Sequence, residues 1–373
     1  MIETSYSIDF EKIVLPHWSI VGHISEVPNV GDSFTVNIGN ESIIIVKDNF
    51  NNINAFLNVC PHRGARICNP GKSNIDRLVC PYHSWDFELN GKGTNASLRK
   101  FQTVIFGGLI LVSLADNPLL LNNFRKDILM CAKAYGWESA KVAHRETFSF
   151  NVNWKVVLQD YLECYHCPNV HPLYAKVHGS EAQRFLGIDP TAANPTNPNH
   201  DGVYIPTTDH WIHKDYKDIE QEPITVYQNK LMNNDIVTGS KDGSPIAPLM
   251  GKYKNKNYDR TRTGVIFGFL NSTMSYPDYT VIYRLIPKSD KYTESEIIWL
   301  VDKDAVEGKD YNVNDLIYLW KHTILEDIEF LTKVQDGTSS YFFNSSGKLK
   351  NNLEESVVRF TQWYNKNVRE TIQ

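Results

Sequence analysis

The chain has 373 residues, 42% of them hydrophobic and 22% charged, with a formal net charge of -5. That length exceeds what one core comfortably fills and predicts two domains. That charge speaks against a general nucleic-acid binder, which would be basic. The one locally basic stretch, KYKNKNYDRTR from Lys252 to Arg262, reads as a solvated face rather than an RNA site. The opening MIETSYSIDF lacks the basic start and apolar core of a signal peptide. The longest apolar run, VIFGGLILVSLA from Val104 to Ala115, is short of the roughly 20 residues a bilayer needs and is read as a buried strand. Six cysteines without a secretion signal are read as thiols or ligands in a reducing cytosol, not as a disulfide framework. A cytoplasmic protein with no membrane span and no nucleic-acid partner is expected.

In chain order, residues Trp18 to Ala115 read as strands and turns. SFTVNIG and SIIIVKD are short β-branched runs, and NVGD, NGKG and GG punctuate them. From about Asn117 the pattern changes. NWKVVLQDYLECYHC places Trp154, Val157, Leu158, Tyr161, Leu162 and Tyr165 on one face of a helix. Residues 180–260 are polar and rich in Asn, Pro and Gly, hence long loops. GVIFGFLNSTM, YTVIYRLIP and EIIWLVD predict three strands. VNDLIYLWKHTILEDIEFLTKV and LEESVVRFTQWYNKNV predict two late helices. The fold class expected is α+β, an all-β module followed by an α+β module.

Within the first module, CPHRGARICNPGKSNIDRLVCPYHSW holds two Cys–His pairs. Cys60 and His62 are separated by one residue, Cys80 and His83 by two, with seventeen residues between the pairs. A lone cysteine or histidine is usually packing; four in this pattern read as metal ligands. A Cys2His2 zinc site is one reading. Zinc knuckles, however, pair Cys with Cys in each half, whereas each half here supplies one thiolate and one imidazole. That suits a Rieske [2Fe–2S] cluster, whose irons are ligated differently, one by both thiolates and one by both imidazoles. Pro61, Gly64, Pro70, Gly71 and Pro81 shape two loop tips that could clasp it. Cys68 lies outside the pattern and reads as a buried thiol.

The second module offers DYLECYHCPNVHP. His166 is expected to end the helix, Pro168 to break it, and His171 to swing back. Two imidazoles and one carboxylate, with positions left open for oxygen, make the non-haem Fe(II) ligand set. Asp327 is the candidate acid. It shares a helical face with Trp320, Ile324, Phe330, Leu331 and Val334, where an unpaired carboxylate is costly. An ordinary buried, hydrogen-bonded carboxylate is the competing reading. Glu326 falls on a polar side with His322, Thr323 and Glu329. Asp209, His210 and His213 in DHWIH form another trio, read as loop, and His178 is unassigned.

Together these two constellations resemble the large, alpha subunit of Rieske non-haem iron oxygenases. The similarity runs from HWSIVGHISEVPNVGD, His17 to Asp32, to the final helix, and NWKVVLQDYLECYHCPNVHP is its most diagnostic part. Within the family the chain looks similar to the branch that oxidises choline, carnitine, glycine betaine and stachydrine, which carries ECYHC…HP here and an ED pair on the late helix. The resemblance implies a Rieske domain over residues 1–120, with about the first 15 residues packing on the catalytic domain. It implies a catalytic domain over residues 121–373, an antiparallel sheet gripped by helices. It implies that Cys60, His62, Cys80 and His83 hold the cluster, and that His166, His171 and Asp327 hold the mononuclear iron. Glu163 then matches the acid that links the centres of neighbouring subunits, from the His83 side of one chain to His166 of the next, in a head-to-tail homotrimer. Its i, i+3 spacing from His166 makes the two neighbours on a helix. A flavin and iron–sulfur reductase fed by NAD(P)H is implied as the electron source, with O2 and a small-molecule substrate as the other partners.

The chain also departs from the family pattern. Gln159 and Asp160 stand where the branch often has an acid and Asn, Ser84 where Gly or Ala is commoner, and QDGTSS (335–340) is a loose match. None removes a ligand; all bear on the substrate subgroup. The leading expectation is hydroxylation or oxidative demethylation of a quaternary ammonium or related amine. The alternatives are aromatic ring oxidation with the same metals, and an electron carrier with a degenerate second domain. A cationic substrate favours an aromatic-lined pocket, with Tyr204, Trp211, Phe267, Phe269 and Tyr276 as candidates.

Overall fold

Short β-branched runs and glycine turns build the first sheet. The computed structural model describes residues 4–121, 124–178, 212–213, 224–231, 236–254, 261–344 and 354–369. Strands β1 (Trp18–His23), β2 (Asp32–Ile38), β3 (Glu41–Lys47), β4 (Ile53–Leu57), β5 (Lys72–Asn74), β8 (Lys100–Phe106) and β9 (Leu109–Ser113) join in the order β1-β9-β8-β4-β3-β2-β5. A small hairpin of β6 (Leu78–Val79) and β7 (Asp86–Phe87) stands beside them. The unbroken run IIIV in β3 has a two-sided cause. Ile43 and Ile45 enter the main core, while Ile44 and Val46 enter a separate core under the cysteine loops. Successive strand residues point to opposite faces, so a strand buried on both sides has no polar positions. VIFGGLILVSLA is not the single strand expected. Gly107 (φ 56) and Gly108 (φ 85) are both left-handed and fold it into the β8–β9 hairpin.

The second sheet is antiparallel throughout, in the order β10-β16-β15-β14-β13-β12-β11. Its strands are β10 (Ala140–Phe150), β11 (Ile212–His213), β12 (Ile224–Leu231), β13 (Thr261–Phe267), β14 (Asn271–Ser275), β15 (Thr280–Ser289) and β16 (Tyr292–Asp302). GVIFGFLNSTM, expected as one strand, is the β13–β14 hairpin, reversed where Gly268 (φ 56) and Phe269 (φ 60) turn left-handed. One face of the sheet, with Met274, Tyr276, Val281 and Trp299, packs under the helices. The other, with Val265, Phe267, Ile282 and Leu300, packs on Tyr135 and Trp137.

The helices are α1 (Tyr6–Asp9), α2 (Phe124–Tyr135), α3 (Trp154–Tyr161), α4 (Cys167–Val170), α5 (Pro172–His178), α6 (Val313–Thr338) and α7 (Glu355–Arg369). Asn153 caps α3 by accepting the Lys155 N–H at 2.9 Å, and Asn312 caps α6 through the Asn314 N–H at 2.8 Å. Helix α3 stops at Tyr161, short of His166. The Glu163 carboxylate takes the Tyr165 N–H that a continuing helix would give to the Tyr161 carbonyl. Tyr165, expected on the apolar face, is 39% exposed as a result. Among the described residues no helix is long and apolar enough to cross a membrane.

The chain start is tied into the second module. Asp9, buried, accepts from Lys155 Nζ at 2.6 Å, from Trp154 Nε1 at 2.8 Å, and from the Tyr364 hydroxyl. Asp9→Ala would strand a buried ammonium, so it is expected to cost about 3–5 kcal/mol. Denaturant unfolding reads this, and Asp9→Leu with Lys155→Met should recover most of the loss. Between the modules, Arg145 bridges Glu26 (2.7 Å) and Glu296 (2.9 Å). Asn271 accepts the Ile20 N–H at 2.9 Å and donates to the Trp18 carbonyl at 3.0 Å.

Candidate metal centres

Two turns of like form carry the first set of donors. Cys60 N–H bonds the Ala65 carbonyl (2.8 Å) and Gly64 N–H the Cys60 carbonyl (3.0 Å); Cys80 N–H bonds the Trp85 carbonyl (2.7 Å) and Ser84 N–H the Cys80 carbonyl (3.1 Å). The fifth residue of each turn is left-handed, Gly64 at φ 80 and Ser84 at φ 56. A side chain there costs about 1 kcal/mol, which is why glycine is the easier residue at Ser84. Asn58 fixes the first turn, accepting N–H groups of Ile67 (3.0 Å) and Cys68 (2.9 Å) and donating to the Cys68 carbonyl (2.9 Å).

These turns set the cysteines and histidines at different depths. Cys60 and Cys80 are buried, with thiols within hydrogen-bonding reach of each other. His62 and His83 sit at the exposed tip, ring centroids 4.7 Å apart. Trp85 stacks on His62 at 4.5 Å, and Tyr82 tilts against His83 at 3.8 Å. A two-iron cluster fits this donor set, with one iron on buried thiolates and the other on imidazoles at the surface. Cys68 stands aside as a free, half-buried thiol, pushed up to about 11 by burial.

The second set gathers where the turn after α3, the start of α5 and the middle of α6 meet. His166, His171 and Asp327 each place a donor atom within 4.8 Å of the others. The His166 Nδ1–H donates to Glu163 Oε1 at 2.7 Å, and the His171 Nδ1–H to Glu326 Oε2 at 2.8 Å. Each imidazole is thus held by a carboxylate on one nitrogen, leaving Nε2 for a metal, the usual support for a ligand histidine. His171 Nε2 and Asp327 Oδ1 are 2.7 Å apart and buried, yet their angles make no hydrogen bond. Two buried, converging atoms with no well-angled partner are what a bound cation satisfies.

Charge points the same way. Burial opposes protonation of His166, but the Glu163 hydrogen bond and the charges of Asp160, Glu163 and Asp327 outweigh it and hold its pKa at about 9. Burial, and then the charge of Asp327, push the Asp160 carboxyl well above the usual range. The cluster carries more negative charge than its imidazoles balance, and a divalent cation would displace those protons.

Two residues here were assigned otherwise from the sequence. Glu326, placed on a polar side with His322, turns between His322 (3.3 Å) and His171. Asp160 lies 3.4 Å from His166 Nδ1 and makes a second possible donor group with Glu163 and His166. Phe330, expected beside Asp327 in the apolar stripe, is 38% exposed. Glu326→Ala, which removes the acceptor altogether, is expected to weaken metal binding at His171 by ~10–100-fold, read by metal titration with the iron of the first centre unchanged.

The remaining candidates disperse. Phe267 belongs to the core with Tyr135, and Phe269 packs on Phe360 (5.2 Å) and Trp363 (4.9 Å). Buried His178 donates from Nδ1 to the Tyr174 carbonyl (3.0 Å) and accepts the Tyr276 hydroxyl at Nε2 (2.7 Å). Tyr204, Asp209, His210 and Trp211, and the side chain of His213, lie outside the described residues. The cysteines were all expected to be thiols or ligands; Cys164 and Cys167 instead form a disulfide.

Comparison with known proteins follows this division. Residues 17–104 match the Rieske [2Fe-2S] domain, and residues 137–370 match the catalytic domain of the ring hydroxylating alpha subunit. The glycine betaine monooxygenase oxygenase subunit of Pseudomonas aeruginosa is 30% identical over 96% of this chain and 85% of its own length. The carnitine monooxygenase oxygenase subunit of Escherichia coli K12 is 28% identical over 46% of this chain and 50% of its own. The crystal structure of the quaternary ammonium Rieske monooxygenase CntA with L-carnitine superposes with a TM-score of 0.70 at 19% identity, covering 97% of this chain and 91% of that one, a likeness of fold. With a Rieske domain ahead of a catalytic domain matched over most of its second half, the chain belongs to the ring-hydroxylating alpha-subunit family of Rieske oxygenases.

Proposed function

We propose that this chain is the oxygenase subunit of a cytoplasmic Rieske monooxygenase. It takes electrons from a separate flavin and iron–sulfur reductase fed by NAD(P)H and uses O2 to hydroxylate or oxidatively demethylate a quaternary ammonium or related amine. The observation that carries the reading is the convergence of His166, His171 and Asp327 beside Glu163. The substrate class is taken from relatives named for glycine betaine and carnitine.

In this reading Cys60, Cys80, His62 and His83 hold the [2Fe–2S] cluster, and His166, His171 and Asp327 hold Fe(II), in modules meeting near residue 120. The iron supplies oxygen activation when bound. The chain's own groups do the rest. Glu326 and Glu163 fix the two imidazoles by accepting their Nδ1 protons. Glu163 also lies at the turn exposed through Tyr165, where the exposed His83 tip of a second copy can abut in a head-to-tail homotrimer. One oxygen atom enters a C–H bond of the substrate, and the other leaves as water with two electrons and two protons. On an N-methyl group the product is a hemiaminal that sheds formaldehyde.

Product analysis by mass spectrometry tests this, with iron-loaded protein, a reductase, NADH, O2 and a panel of glycine betaine, carnitine, choline and simple aromatics. The expected result is formaldehyde with loss of one methyl, or one added oxygen, on an amine. Two oxygens added to an aromatic, with every amine untouched, would overturn the substrate class and leave the metal chemistry standing.

A further inference from the structure

The Cys164–Cys167 disulfide brackets His166, with Cα atoms 4.9 Å apart. Cys167 is buried, and its Sγ lies 3.8 Å from His166 Nε2. That nitrogen is the one left for a metal, since Glu163 holds Nδ1. Metal–nitrogen and metal–sulfur bonds of about 2.1 and 2.3 Å place two ligands of one tetrahedral ion roughly 3.6 Å apart. The sulfur is therefore already at the separation of a co-ligand from that nitrogen. In a disulfide it has no thiolate to offer; as a free cysteine it has.

We propose that Cys164 and Cys167 are a redox pair, and that reduction turns the Cys167 sulfur into a fourth protein ligand for the ion held by His166, His171 and Asp327. The proposal rests on the reading that these three residues hold that ion. Closing the pair breaks two S–H bonds and forms one S–S bond; with hydrogen peroxide as oxidant, the O–O bond breaks and two waters leave. Opening it takes a dithiol reductant, which attacks one sulfur, forms a mixed disulfide and departs as its own disulfide. Thiolate ligation fills a coordination position that oxygen chemistry needs, and a soft ligand shifts the site's preference toward zinc. The disulfide keeps the site an open imidazole–carboxylate set.

The test uses protein with its Rieske cluster retained and cobalt(II) loaded in place of the mononuclear iron, so that X-ray absorption at the cobalt edge sees this site alone. Spectra are taken before and after phosphine reduction and desalting, and alkylation with peptide mass spectrometry scores the pair. The expected result is imidazole with oxygen before reduction, and one added sulfur at about 2.3 Å after it. Cys167→Ser should show no sulfur in either state, and Cys164→Ser should show sulfur without reductant. Imidazole scattering without sulfur after verified reduction overturns the redox-ligand proposal alone. Two alkylatable thiols persisting after peroxide treatment overturn the pairing. Cobalt without imidazole scattering overturns the proposal together with the ligand assignment beneath it.

Discussion

Asp327→Ala is expected to abolish turnover and empty the mononuclear site while leaving the visible spectrum of the Rieske centre unchanged. In the proposed site the carboxylate is the anionic ligand, with Oδ1 2.7 Å from His171 Nε2. Removing it leaves the two imidazoles without their anionic co-ligand, and the loss of affinity should exceed the ~10–100-fold typical of supporting residues. The Rieske loops lie in the other sheet, whose core under Cys60 and Cys80 contains no part of α6. Iron content should therefore fall by the mononuclear share only. Asp160 is the informative control, because it forms the second donor group with Glu163 and His166. Asp160→Asn should keep its metal. If Asp327→Ala keeps turnover and Asp160→Asn loses it, the carboxylate ligand is Asp160.

Legibility in the sequence followed the range of the interactions. The four proposed donors of the Rieske loops are spaced by local turn geometry, so a short window contains the pattern. Asp327 stands out because a carboxylate between Ile324 and Leu331 conflicts with its own helix face. Glu326 did not, because its partner His171 arrives from 155 residues away, on a chain that crosses α6 only after folding. The end of α3 was misplaced for a related reason. The apolar period runs on to Tyr165, but the Glu163 side chain takes the backbone donor that would have continued the helix. Strand β10 was missed because Lys141, His144, Arg145 and Glu146 interrupt its alternation. Arg145 is polar by sequence, yet serves an ion-paired contact with Glu26 of the other module. The two hairpins read as single strands each carry their glycine signal, at Gly107–Gly108 and Gly268, inside otherwise continuous apolar runs.

Glu163→Gln is expected to leave both metal centres loaded but slow reoxidation of the reduced cluster in a single turnover, by ~10–100-fold if the carboxylate tunes His166 as supporting acids commonly do. Glutamine keeps an oxygen that can accept from His166 Nδ1, where Glu163 now sits at 2.7 Å, so the ring stays oriented and only the charge is lost. A purely structural role would instead appear as lost iron. The same variant separates a route within one chain from a route between chains. Glu163→Gln chains keep a working cluster beside an impaired acceptor, and Cys60→Ser chains keep a working acceptor without a cluster. Each alone should be nearly inactive, while mixed assemblies refolded or co-expressed together should regain turnover if electrons pass from the His83 tip of one copy to the Glu163–His166 edge of the next. Size-exclusion chromatography of the Cys60→Ser protein would establish that it still assembles. Given assembly, a mixture no more active than its parts would place both centres of each electron transfer in a single chain and remove the head-to-tail trimer from the mechanism.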